Sequence, residues 1–272
     1  MTNRFRVGIL QFSGEKDKDE NLRRIKEILQ KSKVDSDILV IPEYSMADIT
    51  GMAPETVYRI SEDIDGPWIN EFKRLSRTYN TCIVANLFER SPSKPKVYNT
   101  VVFIRDGEII GKYRKIHLFD AYGYRESDYM LSGDSPMEPI EISGLNVAAA
   151  ICFDIRFPEL FRYYALKDVD MIVLPAAWYR GPMKEETLRT LAAARSHENN
   201  IYMVLAVQYN ENFIGRSMVV DPYGNVMYDA GIGEKYVEID IDPGLLDEAR
   251  RKIPILKLLN KNLYSILCRI QD

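Results

Sequence analysis

Asn146-Val147-Ala148-Ala149-Ala150-Ile151-Cys152, then the stretch opening at Pro158, then Met171-Ile172-Val173-Leu174-Pro175: these three runs decide the fold class. The first and third are continuously apolar rather than alternating, the mark of strands buried on both faces. The middle run is helical, and Pro158 can open it at the first position, where its missing N–H costs nothing. Strand, helix, strand is the signature of an α/β architecture.

The same alternation continues in both directions. Phe5 to Phe12 reads as a strand, and Leu22, Ile25, Ile28 and Leu29 space themselves as one helix face. Ile38-Leu39-Val40-Ile41 is a second buried strand, ended by Pro42. Gly66-Pro67 opens a helix with Ile69, Phe72, Leu75 and Tyr79 on one side, and Thr81 to Leu87 follows as a strand. Tyr98 to Arg105 and Glu108 to Tyr113 flank Asp106-Gly107, a strong hairpin signal. Downstream, Glu185 to Asn200 is helical and Ile201 to Val207 a strand. Ser217 to Val220 and Val226 to Asp229 flank a turn at Asp221-Pro222-Tyr223-Gly224. Lys235 to Ile241 is the last strand, before a helix from about Pro243. Periodicity leaves open whether these strands form one mixed sheet or two.

With 272 residues and no linker, repeat or low-complexity segment, the chain reads as a single domain, 1–272. That length buries roughly 75% of the unfolded surface without disulfides or metals. Lys and Arg number 36 against 40 Asp and Glu, a net charge of −4, which argues against a nucleic-acid partner. Its basic clusters, Lys112-Tyr113-Arg114-Lys115 and Arg250-Arg251-Lys252, are short enough to be solvated faces. No apolar stretch approaches the ~20 residues that span a bilayer. The first ten residues lack a secretory pattern, so a cytoplasmic location is expected. Cys82, Cys152 and Cys268 are odd in number and widely spaced, unlike a disulfide framework or a metal pair. No cofactor or metal is expected. The two histidines, His117 and His197, exclude an HExxH zinc site and leave carboxylates, lysine or cysteine to carry any hydrolytic chemistry.

Three such residues stand where buried strands end: Glu43, Lys115 and Cys152. In open α/β sheets, strand ends are where rigidly held side chains face a crevice. Singly, each has a plain alternative, since a cysteine ending an apolar strand is more often a small buried hydrophobe. Together they make chemical sense. A carboxylate can take the thiol proton, and a fixed ammonium can balance both charges and hold an oxyanion.

These segments resemble the nitrilase, or carbon–nitrogen hydrolase, superfamily over roughly residues 4–255. The resemblance rests on Leu39-Val40-Ile41-Pro42-Glu43, Tyr113-Arg114-Lys115-Ile116-His117-Leu118-Phe119 and Cys152-Phe153-Asp154-Ile155-Arg156-Phe157-Pro158-Glu159. Ala194-Arg195-Ser196-His197-Glu198-Asn199 and the segment Gly215 to Gly224 support it in the same order. It implies an αββα four-layer sandwich of two mixed sheets flanked by helices, paired into a dimer or higher homo-oligomer. The C-terminal stretch of about 255–272 would then pack on the partner subunit. It also implies Cys152 as nucleophile, Glu43 as general base and Lys115 as oxyanion stabiliser. Glu126, in Tyr124-Arg125-Glu126-Ser127-Asp128, matches the family's second glutamate, which would hold Lys115 and the substrate nitrogen; a surface-loop glutamate is the alternative.

Nitrile-acting members commonly carry Trp where this chain has Phe153, and the run Phe153-Asp154-Ile155-Arg156-Phe157-Pro158-Glu159 resembles the branch of omega-amidases and deaminated-glutathione amidases. The expected reaction is hydrolysis of a small carboxylated amide through a cysteine thioester, releasing ammonia. Arg156 would meet the substrate carboxylate, unless it merely pairs with Glu159. Ala177 and Trp178 match a pocket-wall segment, although a packed indole explains Trp178 equally well. Other readings of the same site are an N-carbamoyl amino acid hydrolase and a nitrilase; another class is an ammonia-supplying subunit for a separate partner. The chain departs from the family pattern at Thr187-Leu188, where a His-Trp pair is frequent, and in the short segment Gln208 to Ile214. His117 is expected to orient the lysine segment by hydrogen bonds, and His197 to lie on a helix surface.

Overall fold

The structure, a computed structural model, describes residues 4–260 and 262–263. In chain order the elements are β1 (Phe5–Gln11), α1 (Lys18–Lys31), β2 (Ile38–Val40), α2 (Pro54–Ile60), α3 (Pro67–Tyr79), β3 (Cys82–Arg90), β4 (Val97–Arg105) and β5 (Glu108–Arg114). Three short strands follow: β6 (Asp120–Ala121), β7 (Tyr124–Arg125) and β8 (Met130–Leu131). Next come β9 (Ile140–Ile142), β10 (Leu145–Ala149), α4 (Pro158–Leu166), β11 (Met171–Ala176), α5 (Lys184–His197) and β12 (Tyr202–Val207). The described part closes with β13 (Met218–Val220), β14 (Val226–Asp229), β15 (Lys235–Ile241), α6 (Gly244–Lys252) and a 3₁₀ turn at Ile255–Leu258. Most of the expected C-terminal extension lies outside the described residues.

There are two large sheets, both mixed. The first runs β15-β1-β2-β3-β4-β5, with β8 also beside β4. The second runs β14-β13-β12-β11-β10-β9, and β6 pairs only with β7. In the first sheet β1, β2 and β3 are parallel, while β15 lies antiparallel to β1 from Phe5 opposite Ile241 to Gln11 opposite Lys235. In the second, β10, β11 and β12 are parallel. This is a mixed α/β fold.

The continuous apolar runs are buried on both faces, as their pattern predicts. Ile38 and Val40 of β2, Cys82 and Val84 of β3, and Val101 and Phe103 of β4 share a core with Val147, Ile172 and Val204 of the second sheet. The alternate residues Leu39, Ile83, Ala85, Val102 and Ile104 pack instead with Ile25 and Leu29 of α1 and Trp68, Ile69, Phe72 and Leu75 of α3. Leu160, Phe161 and Tyr164 of α4 and Leu188 and Ala192 of α5 join the core of the second sheet. Burying a side chain of this size is worth roughly 1.5–3 kcal/mol. The side-chain period of two thus divides each strand between two cores.

Local chemistry sets the boundaries. Asp17 caps α1 by accepting from the backbone of Asp19 and Glu20, and Pro67 opens α3, which left-handed Asn80 ends. At the β4–β5 hairpin both Asp106 and Gly107 have positive φ, 52° and 79°, as a type I′ turn requires. Two expectations are corrected. The strand expected to reach Cys152 leaves its ladder at Ala149, because the Ile151 N–H turns to the Asp154 carboxylate. The helix expected to reach Asn200 ends at His197, since Asn200 is left-handed and the Ile201 N–H closes back on Ser196.

Candidate active site

Pro42 ends the ladder after β2, and Tyr44 turns the chain with φ 60°, leaving Glu43 between them with 1% of its surface exposed. Lys115 follows β5. Its N–H donates to Asn99 O at 2.9 Å and its carbonyl accepts from Gly133 N at 2.7 Å. Gly133 is required there, because a Cβ would stand 2.3 Å from the Arg114 carbonyl oxygen. Cys152 has φ 43°, left-handed backbone in a residue without glycine's freedom, and begins a 3₁₀ turn over Cys152–Arg156.

Asp154 fixes that turn to the lysine segment. One carboxylate oxygen accepts from the Tyr113 hydroxyl and the Ile151 N–H, both at 2.8 Å. The other accepts from His117 N at 3.0 Å and lies 2.8 Å from His117 Nδ1. His117, stacked on Phe157, thus makes the hydrogen bonds expected of it, and His197 lies exposed with Nδ1 2.9 Å from the Tyr223 carbonyl. Arg195 supports the turn from below, donating to Ile155 O at 2.8 Å and pairing with Glu198.

Glu43, Lys115 and Glu126 meet in a buried triad. Lys115 Nζ lies 2.9 Å from Glu43 Oε1 and 3.0 and 2.9 Å from the two oxygens of Glu126. Glu43 also accepts from Asn99 Nδ2 and from the Ala177 N–H, each at 2.7 Å. Glu126 is wholly buried, not a surface-loop residue, and accepts from Phe119 N at 2.6 Å and the Tyr44 hydroxyl at 3.2 Å. Asp154, Asn99 and Tyr44 are the polar supports that motif reading missed.

Two carboxylates face one ammonium in a buried site, and the ionisations follow from that. Burial raises the Glu43 carboxyl; Glu126 pushes the same way and Lys115 opposes both. Burial works against the Lys115 ammonium, but Glu126 and Glu43 outweigh it and hold it charged. Burial, then the adjacent Glu43 carboxylate, pushes the Cys152 thiol well above its ordinary range. The thiol is therefore held neutral, and the Glu43 carboxyl beside it binds a proton more readily than an ordinary glutamate.

Above the sulfur lies free space of about 30 Å³. Glu43, Lys115 and Cys152 border it, together with all four expected substrate-binding residues, Phe153, Arg156, Ala177 and Trp178. Glu126 stands behind Lys115. Tyr44, Phe119, Tyr179 and Lys184 complete the wall. Arg156 does not pair with Glu159: its guanidinium lies over the rings of Trp178 (5.0 Å) and Phe153 (5.7 Å), and its buried Nε has no hydrogen-bond partner among the described residues. Trp178 is held by its own Nε1–H, which donates to Lys184 O at 3.0 Å.

A profile of the carbon–nitrogen hydrolase family matches residues 6–251. The chain belongs to the carbon–nitrogen hydrolase family. It is an amidase-type enzyme of that family, and several of its relatives are named amidases. The chain is 31% identical to a deaminated glutathione amidase of Escherichia coli O157:H7 over 84% of this chain and 86% of that one. It is 33% identical to an omega-amidase of Xenopus tropicalis over 97% and 98% of the two chains. Among solved structures, Saccharomyces cerevisiae Nit3, of branch 10 of the nitrilase superfamily, superposes with a TM-score of 0.81 at 26% identity, covering 94% of this chain and 96% of that one. The Caenorhabditis elegans NitFhit protein gives 0.88 at 25% identity, with 97% of this chain covered and 66% of that one. Among the described residues, no helix is long and apolar enough to cross a membrane, and no three His, Cys, Asp or Glu side chains converge to hold a metal.

Proposed function

We propose that the chain is an omega-amidase-like hydrolase of small carboxylated amides, with Cys152 as nucleophile, Glu43 as general base and Lys115 as oxyanion stabiliser. The observation that carries this reading is the triad itself: an ammonium held between two carboxylates at the base of a space onto which a thiol opens. A carboxylate offers about four lone-pair sites. Lys115, Asn99 and Ala177 occupy three on Glu43, leaving one for the thiol proton.

Glu43 takes that proton as sulfur attacks the amide carbon. The oxyanion is held by Lys115 and by the backbone N–H of Phe153, at the open start of the 3₁₀ turn. The C–N bond then breaks, and ammonia leaves with the proton returned from Glu43, giving a Cys152 thioester. Water gives a proton to Glu43 and attacks the thioester carbon; the carboxylate product departs and the thiol is restored. One difficult hydrolysis becomes two easier steps. Glu126, behind Lys115, acts by holding that ammonium in place, and the acyl chain runs outward past Arg156. Phe153, Ala177 and Trp178 wall the chain, and the unpaired Arg156 guanidinium receives its carboxylate.

Helices packed on the outer faces of the two sheets support an αββα sandwich. A second copy against the helices of the second sheet would make the dimer. The functional test is ammonia release from succinamate, glutaramate, carbamoyl-amino acids and small nitriles. Release from the monoamides, absent in Cys152→Ala, is the expected result. Silence on the monoamides with release from a carbamoyl compound or nitrile would overturn the substrate class.

A further inference from the structure

Beyond the space over Cys152 opens a wider vestibule of about 620 Å³, walled by Phe119, Tyr122, Tyr124 and Tyr179. Its charged lining residues are Arg180 and Lys184, and among the described residues no carboxylate borders it. Of these two cations only Lys184 also borders the space over the sulfur. Arg180 is engaged on the far side, where its Nε donates to Asn210 O at 2.9 Å and its guanidinium lies over Tyr209.

The Lys184 ammonium has no carboxylate partner among the described residues. It rests instead on the face of Tyr122, 3.8 Å from the ring centroid. That ring is 76% exposed, at the tip of the β6–β7 hairpin. The next residue, Glu185, is taken by Arg216 at 2.7 Å and does not neutralise Lys184. An exposed cation–π contact is weaker than an ammonium–carboxylate hydrogen bond, so an arriving anion displaces the ring. Two unpaired cations therefore stand in series along the outward path, Arg156 near the sulfur and Lys184 where the inner space meets the vestibule.

We propose that Lys184 is a specificity determinant that takes a second anionic group on the substrate's acyl chain, beyond the one that Arg156 takes. This inference rests on the amidase reading above. The preferred substrate class is then an amide whose acyl part carries two carboxylates, with an apolar or peptide-like stretch lying along the tyrosines.

The test compares N-succinyl-L-glutamine with N-butanoyl-L-glutamine, which match in length and differ by a terminal carboxylate against a methyl. Ammonia release gives kcat/KM for each, with glutaramate as the reference monoamide. The native enzyme should favour the succinyl compound by about tenfold or more, a difference that one well-formed charged contact supplies. Lys184→Met should collapse that ratio to within about twofold of unity, and Lys184→Arg should retain it. A native ratio near unity, or a ratio unchanged in Lys184→Met, overturns the proposal. So does turnover of glutaramate with neither glutamine derivative hydrolysed, because the vestibule then does not admit the extended chain. If glutaramate too is inert, the amidase reading falls and takes this inference with it.

Discussion

Replacing Lys115 by Met removes one ammonium and leaves Glu43 and Glu126 buried without their shared counter-ion. Lys115 is 2% exposed and makes three contacts of 2.9–3.0 Å to the two carboxylates. Breaking a buried ion pair from one side costs about 3–5 kcal/mol. At about 2–4 °C per kcal/mol for a domain near this size, the melting temperature should fall by about 6–20 °C. The loss depends on pH with a definite sign. The Lys115 pKa is raised by folding, so its contribution is fully present below the ordinary lysine range and lost only as pH rises through the folded value. In the variant, Glu43 loses the group that opposed its upward shift. A carboxyl with a raised folded pKa contributes stability that is present at low pH and lost as pH rises through the folded value. The deficit against the native enzyme should therefore shrink as pH falls and Glu43, its carboxyl raised further without Lys115, takes up a proton. Turnover should fall about 100–1,000-fold through the lost oxyanion donor. Thermal unfolding across a pH series and ammonia release from glutaramate test both halves. A variant with near-native kcat and only a raised KM refutes the oxyanion role. A deficit that grows as pH falls refutes the electrostatic account.

Other predictions follow from the same geometry. Cys152 should be a neutral thiol at pH 7, so the thiolate absorbance difference between native enzyme and Cys152→Ala should be absent there and rise only above the ordinary cysteine range. Because Glu43 must be ionised to accept that proton, the acid limb of kcat/KM should lie above the ordinary glutamate range; a limb within that range contradicts its role as base. Asp154→Asn sets an NH₂ against donors that now meet a carboxylate, and should lower stability by about 1.5–3 kcal/mol and kcat more than KM; an unchanged melting temperature would show that Asp154 does not clamp the turn. Arg156→Leu should raise KM for glutaramate about tenfold or more; equal effects on glutaramate and an uncharged amide of the same length would remove its part in carboxylate recognition.

The sequence made some parts legible and hid others for definite physical reasons. Ile38–Ile41, Val147–Ile151 and Met171–Leu174 were readable because both their faces are covered, which forces apolar residues at every position. Whether the strands formed one sheet or two was not readable from period, since a strand buried on both faces carries the same pattern in either arrangement. Three-residue β9 and two-residue β6, β7 and β8 are too short to show any period, and seven-residue α2 shows only two turns of one. Glu43 and Cys152 stood out because each ends an apolar run, Lys115 because it follows a hairpin strand, although β5 is half-exposed and not the buried strand expected there. Asp154, Asn99 and Tyr44 did not, because their hydrogen bonds reach residues such as Tyr113, Glu43 and Glu126 that only folding brings near. Nor could spacing reveal that Arg156 lies on two rings rather than beside Glu159, or that Lys184 reaches Tyr122.

The most direct measurement is to mix the native enzyme with a carboxylated monoamide, quench with acid within a turnover, and take intact and peptide masses. The account predicts an added mass equal to the acyl group, on the peptide carrying Cys152, in the native enzyme and never in Cys152→Ala, which releases no ammonia. Turnover at a native rate by Cys152→Ala, or an acyl group carried on any other residue, would contradict it.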